Sequence, residues 1–350
     1  MSQDKILLPG LIDVHVHLRD PGQTTKEDFI SGTKAALAGG FTTIVDMPNN
    51  AQPITSLEKL EEKITIAKGK TLVELGFHFG SLGDNLDQFP GVSDLAIGLK
   101  LYLNKTTGGY LLDIEHLRKI YQAWPEDKVV LLHSEEDTID LALESLRGLN
   151  RPVHICHMPS KEVLEKIIKA KRQGYNLTCG VTPHHLFLSE LDTGRIGDHA
   201  KMLPSLKSER DQDYLWENFD QIDIVESDHA PHTLEDKVGG AFGVPGLETT
   251  LPLLLSAYKQ GKISIEQIID KCHTRPKEIF NLEPEDYLIS IKMESYELDP
   301  SQFFSKAQWS PFAGMVVPGK VSQVTKSNQV IYSGGEFLIN PGEGKVIYGK

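Results

Sequence analysis

Residues 13 to 19 read Asp-Val-His-Val-His-Leu-Arg and end an apolar run near the start of the chain. In a strand, residues two apart face the same side. Asp13, His15, His17 and Arg19 are therefore expected on one face, and Val14, Val16 and Leu18 on the other. Two imidazoles projecting together from a strand end supply half of a metal site. The guanidinium beside them is a fixed cation whose planar fork suits a carboxylate. A lone pair of histidines at this spacing is as common in a core or on a surface as in a site, so the weight comes from what recurs downstream.

Further along, Lys100 sits among alternating leucines in Gly-Leu-Lys-Leu-Tyr-Leu, His133 ends an apolar run, and His154-Ile-Cys-His157 ends another. Ser227-Asp228-His229-Ala-Pro-His232 ends a fourth. Singly, each has a structural explanation. His133 can be a hydrogen-bonded histidine, Lys100 a snorkelling side chain and Asp228 a helix N-cap. Jointly, these groups on one rim would each need a separate desolvation offset, whereas a shared dication satisfies them together. The lysine is the odd member. An ammonium beside a dication is repelled, so a neutral amine is favoured there. Such an amine can capture carbon dioxide as a carbamate whose two oxygens bridge two metal ions. Cys156 either approaches a metal or packs as a small hydrophobe, the second being the commoner role.

The elements that must position these groups alternate. Strand candidates are Ile12–Leu18, Thr42–Met47, Val73–Gly80, Gly98–Leu103, Val129–Ser134, Val153–His157, Asn176–Thr182 and Ile222–Ser227. Amphipathic segments lie between most of them: Lys26–Ala38, Ser56–Lys68, Asp113–Ala123, Glu136–Arg147, Lys161–Gln173 and Ser208–Asn218. Helices over Leu247–Gln260 and Ile263–Cys272 follow. This alternation predicts an α/β fold, a (β/α)₈ barrel with its chemistry at the C-terminal strand ends. The alternative is an open doubly wound sheet. The barrel is expected over 10–284. A small β-containing appendage is expected from 1–9 and 285–350, where the pattern changes to short alternating runs with Gly and Pro.

Composition sets outer bounds. The 350 residues are 39% apolar and 24% charged, enough for a large core. Net charge is −13, from 36 basic against 49 acidic residues, which argues against non-specific nucleic-acid binding. Three cysteines (Cys156, Cys179 and Cys272) do not make a disulfide framework and suggest a reducing compartment. No run approaches the ~18 apolar residues of a membrane span. A soluble cytoplasmic protein is expected.

The motifs PGLIDVHVHLRDPG (9–22), DMPNN (46–50), GLKLYLN (98–104), VHICHMPSKE (153–162), TPHHLFLS (182–189), SDHAPHTLEDK (227–237), PGLETTLPLLL (245–255) and FSKAQWSPFAG (304–314) resemble those of dihydroorotases. That family belongs to the amidohydrolase superfamily. The animal type, a domain of the trifunctional pyrimidine-synthesis protein, is the most similar, and the likeness runs from residue 9 to about 320. The resemblance implies a zinc-dependent, reversible cyclisation of N-carbamoyl-L-aspartate to L-dihydroorotate. A hydroxide bridging two Zn²⁺ ions would be the nucleophile, and Asp228 would move the proton. Residue by residue, it implies that His15, His17 and Asp228 hold one zinc and His133 and His157 the other, with carboxylated Lys100 bridging them. Arg19, Asn49 and His232 would hold the substrate carboxylate, and Gly243 would offer a backbone contact to the ring. Thr106 would lie in a closing loop. A homodimer and an association with aspartate transcarbamoylase are also implied.

The chain departs from the family pattern at three places. Gly180 stands where many members carry Glu, which in the animal type joins a further metal, so a third zinc is not expected. Leu203 replaces a polar residue near the substrate, and Thr107 replaces a bulky aromatic in the closing loop. Two other readings stay open. One is a different cyclic-amide hydrolase, of hydantoinase, dihydropyrimidinase or allantoinase type. The other is a non-catalytic dihydroorotase-like partner of aspartate transcarbamoylase.

Overall fold

Eight short runs rich in branched and aromatic residues form parallel strands: β1 (Leu11–Val16), β2 (Phe41–Asp46), β3 (Glu74–Gly80), β4 (Gly98–Tyr102), β5 (Val130–His133), β6 (Val153–Ile155), β7 (Leu177–Val181) and β8 (Ile224–Val225). The computed structural model describes residues 5–104 and 112–350. Each strand pairs in parallel with the next, from β1 round to β8. β1, β2 and β3 are buried along their whole length, as strands covered on both faces must be. The ring closes through a parallel bridge between Val16 and His229, with the His17 N–H donating to the His229 carbonyl at 2.7 Å. The fold is therefore a barrel and not an open sheet.

The intervening helices start where a short polar side chain can take an orphan N–H. Asp28, Ser56, Asp113, Ser160 and Ser208 each accept from the backbone of the first turn of their helices. This moves two expected starts. The first helix is Phe29–Ala38 because Asp28 and Ser31 form a reciprocal capping box. The fourth is only Ile139–Ser145: residues 135–138 are held in a turn, with the Thr138 hydroxyl bonded to Asn104 and to the Glu135 N–H.

β1 does not keep the strict alternation expected of residues 13 to 19. Its pairing with β2 shifts register between Asp13 and Val16. As a result Val14 joins a cluster that reaches across the barrel to Val45, Leu131 and Ile224, while Val16 and Leu18 join the outer core. The strand ends at Val16, and Arg19 turns away in a left-handed conformation.

A fully buried ion pair ties the first two strand ends together. The Lys63 ammonium contacts Asp46 Oδ2 at 2.7 Å and donates to the Met47 carbonyl at 2.9 Å and to Asn50 Oδ1 at 2.8 Å. The other Asp46 oxygen accepts the Leu18 N–H at 2.8 Å. This braces the loop that carries Asn49 against the one that carries Arg19.

Outside the barrel, the strand Lys5–Pro9 pairs with Tyr287–Lys292, which continues through Lys320–Lys326, Gln329–Ser333 and Glu336–Phe337 as one antiparallel sheet. The last strand leaves that sheet: Lys345–Val346 pairs in parallel with Glu74 and Leu75 of β3. Among the described residues, no helix is long and apolar enough to cross a membrane.

Candidate metal centre and active site

Polar side chains from β1, β4, β5, β6 and β8 meet at the C-terminal rim, inside the barrel mouth. His17 Nε2 lies 3.1 Å and His15 Nε2 3.5 Å from Asp228 Oδ1. These three buried residues present ligand atoms within 4.8 Å of one another. Across the pocket, His133 Nδ1 is 3.0 Å from His157 Nε2, and the His15 and His157 rings stand 4.9 Å apart. Lys100 is fully buried, and its ammonium donates to Cys156 Sγ at 3.1 Å. Cys156 also packs in the cluster that crosses the barrel, as a small hydrophobe does. Neutral imidazoles, a carboxylate and an amine in one buried pocket are a donor set that fits divalent first-row cations.

The environment sets the protonation states these groups need. Burial, then the charge of Lys100, lowers His15 to about 4. Burial, then His133, holds His157 well below the ordinary histidine value, and burial also lowers His133. These imidazoles are neutral near pH 7, the form that binds metal. Burial works against ionisation of Asp228, but the nearness of His17, His15 and His184 together outweighs it and holds the carboxyl below its usual range. Burial pushes the Cys156 thiol up to about 12, so it stays protonated.

Three site residues carry a left-handed backbone without being glycine: Arg19 (φ 62°), His157 (φ 34°) and Asp228 (φ 45°). Such backbone persists only where its surroundings enforce it. Here it turns each chain sharply at the strand end and aims the side chain into the mouth.

The pocket is a cavity of about 150 Å³. Its walls include the predicted ligands His15, His17, His133, His157 and Asp228, and also Arg19, Asn49, His232 and Gly243. Leu203 lines it as well and supplies no polar contact. Arg19 Nη2 donates to His232 Nε2 at 3.1 Å, and Arg19 Nε to the Pro231 carbonyl at 3.2 Å. Lys26 approaches the other His232 nitrogen at 3.3 Å. Burial, then Arg19 and Lys26, lowers His232 to about 3. A neutral imidazole has one acceptor nitrogen, so it satisfies only one of these two cations. The Gly243 N–H is committed to the Lys201 carbonyl at 3.0 Å, and the Gly243 carbonyl accepts from Lys237. A Cβ at Gly243 would meet the Ala230 carbonyl at 2.6 Å, and φ is 129°, so no other residue fits there.

The sequence reading missed several members. Glu226 is fully buried two residues before Asp228 and accepts from His15 Nδ1 at 3.1 Å. With Cys156 it completes a second close group of ligand atoms around His15. Tyr102 and Phe242 line the cavity, Lys26 backs His232, and buried His184 leaves Nε2 without a hydrogen-bond partner. The signal for Glu226 was an acidic residue in an apolar strand end, and for His184 the paired histidines of TPHHLFLS. Asn49 has a contact beyond its expected one, since its side-chain oxygen accepts from His17 Nδ1. Thr106 and Thr107 lie outside the described residues.

Comparison with known proteins agrees with this fold. Residues 6–169 match the model of the amidohydrolase family. The chain is 41% identical over 357 residues to the multifunctional protein CAD of Squalus acanthias, covering 99% of this chain and 16% of that protein. It therefore spans about one sixth of the length of that multifunctional relative. It is 36% identical over 365 residues to a dihydroorotase of Pyrococcus horikoshii, covering 97% of this chain and 84% of that enzyme. Among solved structures, the L-hydantoinase of Arthrobacter aurescens superposes with a TM-score of 0.93 at 25% identity, covering 99% of this chain and 89% of that one. An inactive dihydroorotase-like domain of a CAD-like multifunctional protein of Chaetomium thermophilum gives 0.85 at 25% identity, covering 98% and 99%. Barrel, strand-end donors and near full-length identity lead to one assignment: the chain belongs to the dihydroorotase family of amidohydrolases.

Proposed function

We propose that this chain is a dihydroorotase that interconverts N-carbamoyl-L-aspartate and L-dihydroorotate. The observation that carries this reading is the Arg19–His232 contact at 3.1 Å, with Lys26 behind it, on the same cavity as His15, His17 and Asp228. Lys26 is ion-paired with Asp236 at 3.3 Å, whereas among the described residues buried Arg19 has no carboxylate partner, and such a guanidinium beside a hydrolytic centre suits a substrate that bears a carboxylate next to its cyclic amide. Hydantoin and allantoin rings carry no carboxylate for it to grip.

His15, His17 and Asp228 would hold one Zn²⁺ and His133 and His157 a second, with Lys100, once carboxylated, as a further ligand. When bound, such a pair supplies Lewis acidity to the amide carbonyl and an activated water. The protein's own part is positioning and proton transfer. Asp228, ionised at neutral pH, accepts a proton from the attacking water and delivers it to the ring nitrogen as the amide opens. In the synthetic direction it returns that proton and water leaves. Arg19, His232 and Asn49 hold the substrate carboxylate so that the carbonyl faces Asp228, and Gly243 offers its carbonyl to the ring. Leu203 covers the ring and helps exclude water.

A homodimer and an association with aspartate transcarbamoylase are proposed from the family resemblance, and a reducing, cytoplasmic setting from three free, buried cysteines. One experiment tests the core of the reading: metal content of the purified chain, with turnover on dihydroorotate, hydantoin and allantoin. Bound zinc with turnover confined to dihydroorotate is expected. Preference for hydantoin would replace it with the hydantoinase reading. Metal-loaded protein inert on all three, alone and with aspartate transcarbamoylase, would leave a non-catalytic partner.

A further inference from the structure

Glu226 has no part in the mechanism above, yet its carboxylate is fully enclosed at the site. It follows β8, and its backbone N–H donates to the Val181 carbonyl of β7 at 3.0 Å. Its side chain has no exposed surface. One oxygen accepts from His15 Nδ1 at 3.1 Å and stands 3.7 Å from His154 Nε2. The other accepts the backbone N–H of His157. A single carboxylate thus reaches β1 and β6 from β8.

Each contact has a consequence for a neighbour. With its Nδ1 proton donated to Glu226, His15 has its lone pair on Nε2, the nitrogen that faces Asp228. The hydrogen bond to the His157 N–H anchors a residue whose φ is 34°, a backbone that needs outside support. The adjacent strand has made room. A Cβ added to Gly180 on β7 would fall 2.6 Å from Glu226 Cδ and 3.1 Å from its Cγ. Any side chain at 180 would evict the carboxylate.

We propose that Glu226 is a positioning residue that sets the His15 tautomer and the His157 turn, and that Gly180 is glycine in order to admit it. The pair makes one unit: the carboxylate comes from β8 because β7 is bare at that level. This rests on the metal-centre reading above but reads out separately from substrate turnover.

The test is metal affinity of the full chain, by competition with a chelator, together with the visible absorption of the cobalt(II)-loaded protein. Glu226→Gln keeps the volume, but its amide cannot accept from both His15 and His157. It is expected to bind zinc about 10–100-fold more weakly, with altered cobalt bands and an unchanged far-ultraviolet circular dichroism spectrum. Wild-type affinity and bands would overturn the proposal. Gly180→Ala applies the same pressure from the other strand and covers the case of an unstable Glu226 variant. Its methyl group should weaken metal binding similarly, and retained affinity would again overturn the inference. A wild-type chain that binds no metal would overturn the metal-centre reading as well, whereas metal-loaded wild type with indifferent variants would overturn this inference alone.

Discussion

His17 Nδ1 donates to Asn49 Oδ1 at 2.5 Å, so the loop after β2 fixes the ring that β1 carries. The bond leaves the His17 lone pair on Nε2, 3.1 Å from Asp228. Asn49 is therefore expected to act on the metal site before any substrate arrives. Asn49→Ala should weaken zinc binding about tenfold or more in a chelator competition without substrate. An Asn49 that served the substrate alone would raise KM and leave metal affinity unchanged.

Arg19 is expected to be irreplaceable by lysine. Its Nε and Nη2 are both engaged at fixed positions, at Pro231 and His232, and a point charge on a flexible stem reproduces neither. A charged hydrogen bond contributes about 1.5–3 kcal/mol, so Arg19→Lys should lower kcat/KM for dihydroorotate roughly 10–100-fold, chiefly through KM. Steady-state kinetics checks this. An unchanged KM would remove Arg19 from substrate recognition.

Much of this arrangement was legible in the chain itself. The eight strand runs stand out because they are short, branched and punctuated; HxH and SDHAPH fall at strand ends, and Lys100 lies within one. Three things were not legible. The phase of β1 was lost because a register shift between Asp13 and Val16 is a property of pairing and not of one strand's pattern. Glu226 was overlooked because its role depends on the space left at Gly180, 46 positions away, and no local spacing encodes that. The same long-range geometry hid Lys26, whose ammonium reaches His232 from the segment ahead of the first helix.

The Lys63–Asp46 pair predicts a large stability effect away from the chemistry. Both side chains are essentially inaccessible to solvent, and their contact is 2.7 Å. Lys63→Met leaves the Asp46 charge buried without its partner, which typically costs about 3–5 kcal/mol. Urea unfolding should show that loss. A shift below about 1 kcal/mol would mean that water or a rearranged loop takes over the role of Lys63.

Glu248 predicts a pH signature. Burial raises its carboxyl from 4.5 to about 8, against the pull of the Phe304 and Ser305 N–H groups, which donate to its two oxygens. The folded chain then holds a proton that the unfolded chain releases above about 4.5. The associated stability is full below that pH and is lost as pH rises through about 8. Glu248→Gln cannot ionise and lacks this loss. Relative to wild type, it should gain at least about 1 kcal/mol between pH 5 and pH 9 in urea unfolding. A gap that stays constant with pH would contradict this.

The closure between β8 and β1 is thin: β8 has two residues, and among the described residues the ring is completed by one bridge, a backbone hydrogen bond from His17 to His229, and side-chain bonds such as that from the Ser227 N–H to Asp13. The proposed ligands stand on opposite banks of that gap, His15 and His17 on one and Asp228 on the other. An ion shared among them would rivet the seam, so chelation should unzip the ring first at residues 224–229, long before its helices melt.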